Sequence, residues 1–281
     1  MFGAALPNRR AGAFALACWL ALGVPAAACP DDFPIEAVVA GVDERLELTL
    51  EDGRRLVLAG VAAAKDSHLA AEARARLAGW LSGLPVSFRP LAAEADRWGR
   101  LPVRMVADAP LAEPDAPRLD VAAALVEAGL ARFRPSLLLG ACRHGLLAAE
   151  ARARLEGVGL WRDPAHAIVS ARDRAALAAA AGDELIVEGR VTRVGEARFR
   201  TYLNFGPIRG QDFSVTILKR NRARFDKMGV SLSSLAGRRI RVRGVLETRF
   251  GPQIEIASPA EMEILDAPGA ASAGSGDDAA K

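Results

Sequence analysis

Leu46-Glu47-Leu48-Thr49-Leu50-Glu51-Asp52-Gly53-Arg54-Arg55-Leu56-Val57-Leu58-Ala59-Gly60-Val61 is the stretch on which the fold turns. Apolar and polar residues alternate from Leu46 to Leu50, which predicts a strand with one face buried. Glu51-Asp52-Gly53 predicts a turn, and Leu56 to Val61 the returning strand. The apolar run Ile35 to Val42 precedes them, so the hairpin belongs to a meander over 35–61.

The period then changes. Leu69, Ala73, Leu77, Trp80 and Leu81 share one helical face over Ser67 to Leu81, with Ser67 as a cap and Gly83 as a stop. Val86-Ser87-Phe88 and Leu101 to Val106 predict strands joined through a tight loop, Asp96-Arg97-Trp98-Gly99-Arg100. The Pro/Asp/Ala stretch 109–118 predicts a loop. Leu119 to Ala128, stopped by Gly129, and Arg143 to Glu156 predict two further helices.

Pro164 opens a connector over 164–181, with a short strand at Ile168-Val169 and a short helix from Arg172 to Ala180. Strand alternation resumes at Leu185 to Val194, Phe213 to Leu218, Ile240 to Val245 and Gln253 to Ala257. Short strands at this spacing predict a small barrel or sandwich over 182–265. The Ala/Gly/Ser/Asp-rich end, 266–281, predicts disorder.

The chain has 281 residues, 51% hydrophobic and 25% charged, which excludes a disordered tail protein and a small disulfide scaffold. Its length predicts about two domains. The net charge of +3 hides an asymmetry: 182–265 holds 15 basic against 10 acidic residues, and 30–181 holds 19 against 21. The basic excess of the folded part therefore lies in the C-terminal third.

Arg9 and Arg10, the apolar run Ala11 to Val24, and Pro25-Ala26-Ala27-Ala28 have the order of an export signal. The run is shorter than a membrane span needs. Residues 1–28 are therefore expected to be a signal peptide cut after Ala28, leaving an exported chain, periplasmic or secreted, with no stable membrane span. A lipoprotein signal would also place Cys29 first, but it prefers Leu where Ala26 stands. Cleavage removes Cys18 and leaves Cys29 and Cys142 in an oxidising compartment, which predicts one disulfide between them.

Several short words occur in a fixed order: Leu58-Ala59-Gly60-Val61, a helix, Asp96-Arg97-Trp98-Gly99-Arg100, then Ala124-Leu125-Val126-Glu127-Ala128-Gly129-Leu130-Ala131. Leu146-Leu147-Ala148-Ala149-Glu150-Ala151-Arg152 and Gly159-Leu160-Trp161 follow. In these residues the segment 29–163 resembles the thermonuclease, or staphylococcal nuclease-like, family. The resemblance implies a five-stranded OB-type barrel carrying three helices. It also implies phosphodiester cleavage with calcium on carboxylates, a Glu that activates water, and two Arg on the phosphate.

Such chemistry needs oxygen ligands for the cation, a proton acceptor for the nucleophile, and positive charge for the transition state. Aligned without gaps back from Gly60, the family's Asp-Gly-Asp-Thr signature falls on Glu44-Arg45-Leu46-Glu47, so Leu46 occupies a metal-ligand position. The family's second signature falls on Val57 to Lys65. Val57 then replaces an Arg, Ala62 the second metal Asp, and Lys65 the general-base Glu, while Arg100 keeps the second Arg. The resemblance thus implies a catalytically degenerate site with no metal and no cofactor, calcium having lost its ligands. A rival metal site could be built from Glu44, Glu47 and Asp66, and Arg100 could simply hold its turn through Asp96. His68, His144 and His166 show no zinc-site spacing.

Over 182–265, Val187-Glu188-Gly189-Arg190-Val191, Thr201-Tyr202-Leu203-Asn204-Phe205-Gly206 and Asp212-Phe213-Ser214-Val215 precede Leu235 to Gly244 and Gly251-Pro252-Gln253-Ile254-Glu255-Ile256. This set resembles the OB-fold nucleic-acid-binding group. Arg239, Arg241 and Arg243 alternate with Ile240 and Val242, which places the three Arg on one strand face. Lys219, Arg220, Arg222 and Arg224 form a second basic cluster in a predicted loop. Tyr202, Phe199, Phe205 and Phe250 offer stacking surfaces, whereas Phe213 and Phe225 are assigned to the core. Cations along a backbone beside aromatic faces are what single-strand binding requires.

The sequence therefore predicts a mainly β protein with helices (α+β): two tandem OB-type small β-barrels, the first carrying three helices. The expected role is non-catalytic binding or scaffolding, with single-stranded nucleic acid or an envelope protein as partner. The alternatives are a divergent metal-dependent nuclease and a structural envelope interaction module.

Overall fold

The computed structural model describes residues 28–108 and 118–266. Nearly all of the predicted signal peptide, nearly all of the 109–118 loop and the tail beyond Asp266 lie outside the described residues. In chain order the first half holds β1 (Ile35–Val42), β2 (Glu47–Leu50), β3 (Arg55–Leu58), β4 (Val61–Ala63), α1 (Ser67–Leu81), β5 (Pro85–Pro90), β6 (Arg100–Ala107), β7 (Leu119–Asp120), α2 (Val121–Glu127), β8 (Ala131–Phe133) and α3 (Arg143–Glu156).

The decisive hairpin forms with Leu48 opposite Leu56, and both are fully buried. β3 stops at Leu58 instead of running to Val61, and β4 leaves the sheet to pair with β8. Gly60, at φ 81°, makes that break, a conformation that favours glycine. The sheet runs β3-β2-β1-β5-β6-β7, and β3 also pairs in parallel with β6. α1 covers the predicted residues and packs Ala73, Leu77 and Leu81 into the same core. Its cap is Asp66, which accepts from the Leu69 N–H, and not Ser67. α2 starts two residues later than expected because Leu119-Asp120 first pairs with β6.

The second half holds β9 (Val169–Ser170), α4 (Arg174–Ala179), β10 (Glu184–Arg190), β11 (Arg193–Glu196), β12 (Arg200–Asn204), β13 (Ser214–Leu218), α5 (Arg222–Lys227), β14 (Arg239–Glu247), β15 (Gln253–Glu255) and β16 (Met262–Ile264). Its sheet runs β11-β12-β13-β15-β14-β10-β9, with β16 on β14. The 164–181 segment is more than a connector. Val169 pairs with Val187, and Ala171 and Leu177 are buried in the second core. The predicted basic loop at 219–224 is instead a 3-10 turn leading into α5, which buries Phe225.

The chain is thus mixed α+β and mostly sheet, with five α-helices and two separate hydrophobic cores among the described residues. Cys29 and Cys142 are joined as a disulfide, with Cα atoms 4.7 Å apart, tying the start of the described chain to the entry of α3. Among the described residues no helix is long and apolar enough to cross a membrane.

Candidate nucleic-acid interface

The positions assigned to catalysis by resemblance have other employments. Leu46 is buried in the first core at φ 61°, in a turn where the Asp43 carboxylate accepts from the Arg45 and Glu47 N–H groups. Val57 lies in β3 opposite Glu47, Ala62 pairs with Arg132 across β4 and β8, and Lys65 is exposed. Arg100 donates to the Glu47 carboxylate at 2.7 Å and to Asp96 at 2.7 Å, and Arg55 also pairs with Glu47.

Glu47 is only 4% exposed, and the Arg100 hydrogen bond is the main reason its carboxyl lies below the usual range. Asp96, held chiefly by the same Arg100, is lowered to about 2. Of the rival metal trio, Glu47 is neutralised by two guanidinium groups and Asp66 caps α1, while Glu44 is exposed. Among the described residues no group of three or more His, Cys, Asp or Glu could hold a metal ion.

The arginine row of β14 lies on one face, as its alternation predicted, but that face is occupied. Arg243 is 5% exposed and held between Glu150 of α3, at 2.7 Å, and Glu263 of β16, at 3.0 Å. Arg241 pairs with Glu188 at 2.7 Å and with Glu263 at 3.5 Å. Arg239 takes the other oxygen of Glu188 at 2.7 Å. Burial works against the Glu188 charge, but the hydrogen bonds from Arg241 and Arg239 prevail and its carboxyl lies below the usual range. Arg243 is therefore corrected from a polyanion contact to a buried ion-pair member, and Arg239 and Arg241 are already neutralised. In the second cluster, Lys219 and Arg222 reach Glu196, Arg224 donates to the Ala257 carbonyl, and Arg220 is exposed.

A different surface brings free cations and aromatic rings together. A groove of about 540 Å³ is lined by Arg193 of β11, Arg200, Tyr202 and Asn204 of β12, and by the loops 206–212 and Phe250. The strand register builds it: Tyr202 stands between Gly195 and Thr216, and Ser214 lies beside Gln253. The two loops meet at Gly210 and Gly251, where a Cβ on Gly251 would fall 2.6 Å from the Gly210 carbonyl oxygen.

Arg193 and Arg209 have no carboxylate partner among the described residues, whereas Arg200 pairs with Glu255 at 3.4 Å. The Arg209 guanidinium lies 5.7 Å from the Tyr202 ring, and that of Arg249 lies 5.2 Å from Phe250, which is 71% exposed. The one lining carboxylate, Asp212, accepts from the Ile208 N–H and from Arg174. Those contacts, the backbone one foremost, hold its carboxyl low.

Of the residues that the sequence offers for binding, Tyr202 and Phe250 line this groove. Phe205 moves into the core, its ring 5.1 Å from that of Phe213, and Phe199 is exposed on the turn before β12. Arg193 and Arg209 carried no local signal, because each stands alone in sequence and only the pairing of β11, β12 and β13 gathers them. No model of a known protein family matches the chain, and no curated protein matches it.

Proposed function

We propose that the chain is an exported, non-catalytic binding protein of two tandem OB-type barrels, whose second barrel takes single-stranded nucleic acid in the Tyr202 groove. What supports two barrels is the order of strand pairing. In the first half β1-β2-β3-β6-β5 returns to β1. In the second, β11-β12-β13-β15-β14-β10 pair in series, and it is the chain and not a strand pairing that joins β10 to β11, through two residues. The disulfide and the signal-like N-terminus support export.

The observation that carries the binding role is a pair of guanidinium groups with no carboxylate partner among the described residues, Arg193 and Arg209, beside Tyr202 and the exposed Phe250. Phosphates need cations that are not already neutralised, and unstacked bases need an accessible ring face. Duplex bases are stacked and cannot use the rings, so the arrangement favours a single strand. On the first barrel, Lys65 puts a cation where the family needs a base, and Glu47 is held by two arginines. These features support a resemblance to thermonucleases that does not extend to cleavage.

Fluorescence anisotropy of labelled single-stranded DNA and RNA oligonucleotides tests this with the full chain. Binding that weakens as salt rises, and is weaker for duplex, is the expected result. No binding near physiological salt overturns the nucleic-acid role. Metal-dependent cleavage that is lost in Glu44→Ala or Glu47→Ala overturns the non-catalytic one.

A further inference from the structure

We infer that the two halves of the chain are locked into one cooperative body by a ladder of alternating charges, with Glu150 and Arg243 as the rung that crosses between them. Starting in α3, Arg154 pairs with Glu150 at 2.6 Å and Glu150 with Arg243 at 2.7 Å. The series continues through Glu263 at 3.0 Å, Arg241 at 3.5 Å, Glu188 at 2.7 Å and Arg239 at 2.7 Å. Each inner member touches two groups of opposite sign. The rung itself is the driest part, with Glu150 at 0% and Arg243 at 5% exposure.

Both partners of the rung are held by several groups. Glu150 accepts from Arg154, Arg243 and the Phe133 N–H, and Arg243 also lies 5.1 Å from the Phe133 ring. Ionised groups this dry are costly unless opposite charges and hydrogen bonds meet them, and such a pair fixes register more than it adds stability. A one-residue slip of β14 would put Val242 or Gly244 where Arg243 stands, leaving Glu150 against apolar surface. Two more contacts cross between the halves: Arg143 donates to the Pro259 carbonyl at 3.2 Å and Arg132 to the Glu184 carbonyl at 3.4 Å. They flank the rung, so α3 and β8 meet β14, β10 and the turn before β16 along one continuous seam.

Removing one partner leaves the other buried with a single counter-charge, Arg154 for Glu150 or Glu263 for Arg243, and separating the halves is how water reaches it. Calorimetry of the full chain, with trypsin cleavage at Arg162, Arg172 and Arg174, reads this directly. The wild type unfolds in one transition. Arg243→Met splits the transition in two and speeds cleavage in 162–174 by about tenfold or more. Arg243→Lys keeps the charge but not the paired N–H groups and gives an intermediate rate, which carries the test if the Met variant does not fold. Arg239→Gln, which removes a pair inside the second half alone, leaves the cleavage rate at the wild-type value. The Glu150→Gln/Arg243→Met double variant cleaves more slowly than the product of the two single effects, because both changes remove the same crossing pair. Two transitions in the wild type, or wild-type cleavage rates in both Arg243 variants, overturn the proposal.

Discussion

Arg100 and Glu47 stand 53 positions apart in the chain and meet in a 2.7 Å ion pair that joins the first residue of β6 to the first of β2. Glu47 is buried, and its other oxygen accepts from Arg55. Arg100→Met leaves that carboxylate with one guanidinium and also releases Asp96 from its turn. The expected result is a lower unfolding midpoint, by less than for a buried pair broken outright because Arg55 remains. Urea unfolding of the two proteins measures it, and equal midpoints would show that the pair is a solvated surface contact.

The same contacts predict acid sensitivity with a definite sign. Glu47 and Asp96 have carboxyls lowered in the folded chain from ordinary values of 4.5 and 3.8, Asp96 to about 2. A lowered folded pKa contributes stability that is complete above the unfolded value and is lost as pH falls through the folded one. Wild-type stability should therefore decline between pH 4.5 and about 2. In Arg100→Met the decline should be shallower, since the main cause of both shifts is gone. Thermal midpoints at several pH values in that window distinguish the two curves.

Local patterning made the meander, α1 and α3 legible, because the residues that decide them are neighbours in sequence. The same patterning set Arg239, Arg241 and Arg243 on one face, and the structure agrees. What the pattern could not contain is the cover: Glu150 reaches Arg243 from 93 residues away, so a row that reads as solvated and free is ion-paired throughout and buried at Arg243. The groove was hidden for the converse reason. Arg193 and Arg209 are isolated residues whose proximity to Tyr202 is set by register and by the packing of two loops at Gly210 and Gly251. β9 was too short to mark 164–181 as part of a sheet, although Leu177 carries that segment into the core.

The cysteine pair closes a separation of 113 residues. A cross-link of that span restricts the unfolded chain strongly, so Cys29→Ala/Cys142→Ala should lower stability by about 2–5 kcal/mol. Arg104 also holds the Pro30 carbonyl, and Phe33 lies under the Arg104 and Arg118 guanidinium groups. The segment after Cys29 should accordingly stay attached in the reduced protein, and the loss should appear in global unfolding. Urea titration with and without reductant tests this, and coincident curves would mean that the disulfide adds nothing to the fold.

The groove and the β14 row make opposite predictions for binding. Tyr202→Ala and Phe250→Ala should each weaken a single strand by about 1–3 kcal/mol, the usual worth of one stacked base. Arg193→Ala and Arg209→Ala should weaken it for every sequence alike, and each should reduce the salt slope by about one. Arg239→Ala removes a guanidinium already joined to Glu188, so affinity and salt slope should stay near wild type. Thermal midpoints of each variant separate lost contact from lost fold, because the groove residues other than Phe213 and Gln253 are not in the buried core. If Arg239→Ala removes binding while the Tyr202 and Arg209 variants keep it, the strand does not run through the groove and the exposed end of the β14 row is the better site.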